Sequence, residues 1–248
     1  MITRLKFFAA LGLLFFGVTN LCLAAPQAAK LTFRRVFPAS TPELIEITVI
    51  EDSDTATYEI RQLDEEAGST PFVVGAPLRA KMFGYAAELH HFQGLDLDVH
   101  RKIANLGEKT FRWEQGTQKY ETKFNYTLDK SATQLLQIFE GLARQQEHFV
   151  LISRRMKYDR LGINDALLQF ESDLNRGLMP EPSRLVPLLD QISGDSKFVD
   201  IARQRARTLA DRIRHSAQIH QIDSDLYKIM YLFMNICSLI YKYLLPNP

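Results

Sequence analysis

The spacing of apolar residues changes its period near Leu128, and that change decides what the chain can build. Before it, apolar and polar residues alternate in short runs, as strands with one buried face require. After it, apolar residues recur every three or four positions, as on amphipathic helices. The fold class read from this is α+β: an N-terminal antiparallel sheet of about five strands with a covering helix, followed by a mostly helical C-terminal half.

Within the first half, Leu31 to Phe37 reads as a strand ending before Pro38 and Pro42. Ile45, Ile47 and Val49 alternate with Glu46, Thr48 and Ile50, the turn-prone Asp52-Ser53-Asp54 follows, and Tyr58 and Ile60 resume the period of two, which predicts a hairpin. Asp64-Glu65-Glu66 reads as a solvated loop, and Phe72 to Val74 as another short strand. Pro77 is placed for the first turn of a helix in which Leu78, Met82, Tyr85, Ala86 and Leu89 share a face. Phe111 and Trp113 alternate with Thr110, Arg112 and Glu114, and Gln115-Gly116 offers the turn before Tyr120 to Tyr126 runs back.

In the second half, Ser131 is positioned to cap a helix carrying Leu135, Phe139, Leu142, Phe149, Ile152 and Met156 as far as Gly162, and this is expected to be the longest. Asn164 is positioned to cap a second that stops at Gly177, Ser183 opens a third that stops at Gly194, and a fourth runs from Lys197 to about His215. No internal repeat is visible.

The two ends differ from this body. Arg4 and Lys6 precede the apolar run Phe7 to Val18, and Cys22-Leu23-Ala24 places small side chains where a signal peptidase requires them, so residues 1–24 read as a secretory signal cut after Ala24. Of the two cysteines, Cys22 leaves with the signal and Cys237 remains, so the body has no internal disulfide and rests on its apolar core, for which about 190 residues suffice. A formal net charge of +1 removes the global electrostatic argument for nucleic acid. From Ser216 to the end there is no arginine, glutamate or glycine, and Ile, Tyr, Leu and Met crowd between Leu226 and Leu245. Three readings of this tail stand: a membrane anchor with Lys228 and Lys242 near its ends, an amphipathic helix docked on the body or a partner, or a non-native extension produced by a shifted reading frame. The organisation is therefore 1–24 signal peptide, 25–128 sheet region, 129–215 helical region and 216–248 apolar tail.

Chemistry-bearing motifs are sparse. No G-x-S-x-G elbow, G-x-x-x-x-G-K-[ST] loop or G-x-G-x-x-G turn occurs, and Gly107-Glu108-Lys109-Thr110 reads as the start of a strand, since it lacks the earlier glycine of a phosphate loop. His90, His91 and His100, with Glu88, Asp96 and Asp98 nearby, form the one histidine cluster. Adjacent residues on a helix point about 100° apart, so this spacing suits one metal poorly and reads first as a solvated helix end. His90, His91, Asp96 and His100 are still the residues to test for an enzymatic or zinc role. Asp64 to Glu66 and the Asp96–Asp98 pair lack the fixed-glycine oxygen loop of calcium sites. Arg154, Arg155, Lys157 and Arg160, and the Arg203, Arg207, Arg214 stripe, read as helix-end and solvated-face charges able to meet an acidic partner. Trp113 with Phe111 and Tyr120 reads as core or a cross-strand stack.

Phe33 to Glu43, Lys109-Thr110, Phe124-Asn125-Tyr126-Thr127 and Tyr158-Asp159-Arg160-Leu161-Gly162, in this order behind a signal peptide, resemble a group of exported bacterial proteins of acidobacterial type with no assigned role. The resemblance extends to about Arg214 and implies export; it carries over no catalytic residue, and the tail departs from it. The reading is then an exported envelope protein, periplasmic or secreted, acting as a non-catalytic binding or structural module on an unknown protein or envelope ligand. No nucleic acid, cofactor, metal ligand or catalytic residue is assigned, and membrane contact is expected only through the tail. The alternatives are a hydrolase or metal-dependent enzyme with a dispersed site, and a membrane-anchored periplasmic structural protein.

Overall fold

A computed structural model describes residues 27–244. The expected signal peptide lies outside the described residues. Six strands form one antiparallel sheet: β1 (Lys30–Val36), β2 (Leu44–Ile50), β3 (Thr55–Arg61), β4 (Thr70–Val73), β5 (Glu108–Gln115) and β6 (Gln118–Phe124), in the order β4-β3-β2-β1-β5-β6. Register follows the alternation. Phe33 pairs with Ile47 on one side and Phe111 on the other, and Leu31 pairs with Val49 and Trp113, so all six side chains share the buried face. The opposite face carries Arg34–Glu46, Arg112–Glu121 and Glu114–Lys119 ion pairs, as expected of an antiparallel sheet wetted on one side. At the start of β5, Gly107 adopts φ +87°, and a Cβ there would lie 2.8 Å from the Phe37 Cβ.

Five helices follow or interrupt the strands: α1 (Ala76–Glu88), α2 (Lys130–Tyr158), α3 (Ile163–Asn175), α4 (Val186–Gly194) and α5 (Asp200–Leu244). Two of the expected caps are displaced. Asp129 rather than Ser131 caps α2, accepting from the Ala132 N–H at 2.8 Å, while the Ser131 hydroxyl turns to Glu88. An aspartate one residue before the helix outcompetes a serine inside it because its carboxylate meets the exposed N–H groups and the dipole together. Gly162 precedes α3, and Asn164 instead accepts from Arg205 at 3.1 Å.

Two apolar clusters make up the core, and α2 contributes to both. Its first half lays Leu135, Phe139 and Leu142 on the sheet, where Phe33 lies between Phe111 and Phe139 with ring centroids 5.8 and 5.2 Å away. Its far end puts Ile152 among Leu167, Phe170, Leu189 and Leu209 of α3, α4 and α5.

The longest helix is α5 at 45 residues, not α2 at 29. It runs through the expected boundary at Ser216, because neither glycine nor proline interrupts the chain there. Ala202, Ala206, Leu209, Ala210 and Ile213 are buried, and no described residue beyond Ile213 is. Docking of the tail on the body is therefore not what these residues do. As for the anchor reading, among the described residues no helix is long and apolar enough to cross a membrane.

Because Phe33 bridges the sheet to α2, Phe33→Ala is expected to lower unfolding free energy by about 3–5 kcal/mol, read as a reduced urea midpoint. A loss below 1 kcal/mol would place Phe33 outside the cooperative core.

Candidate functional site

Between Ala143 and Ile152, α2 is polar where it is most enclosed. Gln145, Gln146 and His148 are all buried, in the seam between the two cores. Buried polar groups persist in folded proteins when they find partners, so each of these three positions poses a question of pairing.

On the α3 side, the question is answered fully. His148 Nε2 lies 2.8 Å from Asp173 Oδ2, Arg144 donates to the same oxygen at 3.3 Å, and Arg176 donates to Oδ1. Burial pushes the Asp173 carboxyl up, but the hydrogen bonds from His148, Arg176 and Arg144 outweigh it and hold the group below its ordinary value of 3.8. The His148 ring meets Phe170 edge-on at 5.6 Å. An open depression of about 460 Å³ surrounds this lock and includes Glu147. The protein packed around Glu147 pushes its carboxyl up, against Arg144 and His148, and its reach into solvent blunts that push. Both Asp173 oxygens are occupied, and no hydrogen bond joins His148 to a hydroxyl or thiol among the described residues. Such an arrangement fastens α2 to α3; it does not present an activated nucleophile.

On the β4 side, the accounting leaves a remainder. Tyr58, Phe72, Val73, Phe149 and Leu185 surround a cleft of about 290 Å³, with Gln145 and Gln146 on α2 and Arg184 at its rim. Burial pushes the Tyr58 phenol up, partly offset by a hydrogen bond with Thr70. Gln145 is 1% exposed, its Oε1 accepts from the Glu181 N–H at 3.0 Å, and its Nε2 has no hydrogen-bond partner among the described residues.

Glu181 ties the two sides together. Helix α1 has no side-chain cap of its own, and both Glu181 carboxylate oxygens accept from the Gly75 N–H, at 3.0 and 3.1 Å, across 106 residues of sequence. A Cβ on residue 75 would collide with Glu181 Oε1 where it now lies, so glycine is what permits the approach. An anion at a helix N-terminus also meets the positive end of the dipole.

The histidines singled out by sequence do not converge. His91 packs against Trp113 with centroids 4.5 Å apart, and Trp113 stacks on Tyr120 at 6.0 Å, so the cross-strand stack exists and extends to a histidine. His90 is exposed at the end of α1. His100 pairs with Asp96 at 2.6 Å and Asp98 at 3.6 Å in solvent, and the Asp96 hydrogen bond raises its pKa. No group of three or more potential ligands able to hold a metal occurs among the described residues. Of the basic residues, Arg155 pairs with Asp159, Arg203 with Asp200, and Arg214 with Asp190 and Asp211, whereas Arg154, Lys157, Arg160 and Arg207 are exposed. Gln145, His148, Asp173 and Glu181 were not singled out by sequence. The signal available was three polar residues inside the apolar stripe of a long helix.

No known family, curated protein or solved structure matches the chain.

Removing the clamp with Glu181→Ala is expected to cost about 1–3 kcal/mol and to speed hydrogen exchange in the first turn of α1. Unchanged exchange there would mean that α1 does not depend on Glu181. For Asp173, a carboxyl held below its unfolded value adds stability that is complete above the ordinary value and is lost as pH falls through the lowered one. Asp173→Asn should thus cost about 2 kcal/mol at neutral pH, with the gap to wild type closing below about pH 4. A gap that widens in acid would overturn the assignment of the lock to an ionised Asp173.

Proposed function

We propose that the chain is an exported, non-catalytic binding module of the cell envelope, and that it binds through the cleft between β4 and α2. One observation carries this reading. Val73 and Phe149 line the cleft and are each 41% exposed, so its mouth keeps apolar surface that nothing in the described residues covers. The polar cluster of the seam around Asp173 has its acceptors filled, which supports fastening rather than turnover. Export rests on the charged start, apolar run and small-residue site of residues 1–24.

Native mass spectrometry of the chain recovered from a periplasmic extract tests both parts. The expected spectrum shows a mature chain beginning at Ala25 with a stoichiometric small-molecule adduct that is missing from Val73→Trp, which fills the mouth. A chain retained in the cytosol with Met1 intact would sink the export part, and a bare wild-type chain would sink the binding part.

A second reading concerns α5. Ile219, Ile222, Leu226, Ile229, Phe233 and Ile236 are exposed on the projecting part of the helix, which supports contact with a membrane surface or partner through this segment. Fractionation of the full chain beside a version ending at Ser216 separates the cases. Retention of only the longer form on membranes supports surface contact; equal release of both forms rules it out.

A further inference from the structure

We infer that the projecting end of α5 is an assembly element: through residues 219–236 the chain joins further copies of itself in a parallel bundle of three or four helices. The inference rests on the contact reading of α5 and names the partner.

The helix turns this surface away from its own body. Ile213, packed with residues of α3 and α4, is the last buried residue of α5 among those described. Ile222, Ile229 and Phe233 lie nine, sixteen and twenty residues further on, and at about 100° per residue each points within about 20° of the opposite side of the helix. The body therefore cannot cover them, whereas a helix from another molecule reaches them without meeting α3 or α4.

The spacing says what kind of partner fits. Ile219, Leu226 and Phe233 form one row, seven residues apart, and Ile222, Ile229 and Ile236 form a second row three residues after the first. Two rows so placed are the contact surface of helices that lie side by side along their length. Every copy of this chain carries the same rows, and in a parallel, in-register bundle each residue meets its own counterpart. An antiparallel pairing of the two segments would instead set the apolar positions 240 and 243 beside His215 and Arg212.

The second row sets the number of strands. It is isoleucine at all three positions, and a branched Cβ there fits badly between two parallel helices but well among three or four. Met230 and Leu232, exposed on either side of the rows, widen the apolar face to what additional strands cover. The six row residues are between 46% and 67% exposed. Side chains of this size present on the order of 700 Å² per chain, and two such faces together exceed the about 1,000 Å² of buried surface that a specific interface requires. A membrane surface would also accept apolar side chains, but it makes no demand for isoleucine throughout one row.

The test is sedimentation velocity, in lipid-free buffer, of the chain from Ala25 to Pro248 beside a version ending at Ser216, which keeps every residue of α5 that the body buries. The full chain is expected at the mass of three or four chains and the shorter version at the mass of one. Ile222→Asp combined with Ile229→Asp should return the full chain to a single-chain mass and leave the urea midpoint of the body unchanged. For orientation, Ile222→Cys in a Cys237→Ser chain is expected to form disulfide-linked pairs on oxidation, since an antiparallel partner would bring residue 233 to that place instead. A one-chain or two-chain mass for the full chain, or the same multiple for both versions, overturns the inference, as does an assembled Ile222→Cys chain that does not crosslink. A single-chain form that floats with vesicles of phosphatidylethanolamine and phosphatidylglycerol assigns the segment to a membrane surface, so this inference falls while the contact reading of α5 stands. A single chain that neither assembles nor floats removes both, so the two failures are distinguishable.

Discussion

The contact on which the arrangement of the two halves turns is the acceptance of the Gly75 N–H by Glu181. Helix α1 begins without a capping side chain, and Pro77 at its start has no N–H to offer. The negative charge needed at that end arrives from the loop that precedes α4, on the far side of the molecule in sequence. Because the Glu181 N–H is itself held by Gln145 of α2, one residue joins the sheet's covering helix, the central helix and the helical half. Orienting Gln145 for this role is also what leaves its Nε2 free, so the unpaired donor is a by-product of the same clamp.

The sheet was legible in the sequence because its determinants are local. Ile45, Ile47 and Val49 alternate with neighbours that face water, and the Gln115-Gly116 turn adjoins the strands it connects. Helix ends were legible only in part. Ser131 and Asn164 are sound capping residues, but each competes with a neighbour and with distant partners, and the structure spends them on Glu88 and Arg205. The extent of α5 was misread at Ser216, where composition changes without any residue that breaks a helix. The seam was not legible at all. Glu181 meets Gly75 across 106 residues and Asp173 meets His148 across 25, and neither spacing leaves a periodic trace.

The polar residues of α2 divide according to how completely they are paired. Around Asp173 every acceptor is used, so that cluster behaves as mortar, costly to disturb and chemically quiet. Around Gln145 one donor is spare, next to the apolar rings of Tyr58, Phe72 and Phe149. The strained stretch His90, His91 and Phe92, all at positive φ, belongs with the first kind: it swings Phe92 into the core, where its ring stacks on Phe111 at 5.4 Å.

On the projecting part of α5, Ile219, Ile222, Leu226, Ile229, Phe233 and Ile236 are separated by alternating intervals of three and four residues. That is a seven-residue repeat, whereas a straight α-helix returns to the same direction every 3.6 residues per turn, so the stripe drifts by about 20° per heptad around the rod. A flat surface meets such a stripe over only a few turns. A second helix that follows it end to end has to coil around it, and the sense of that coil is left-handed.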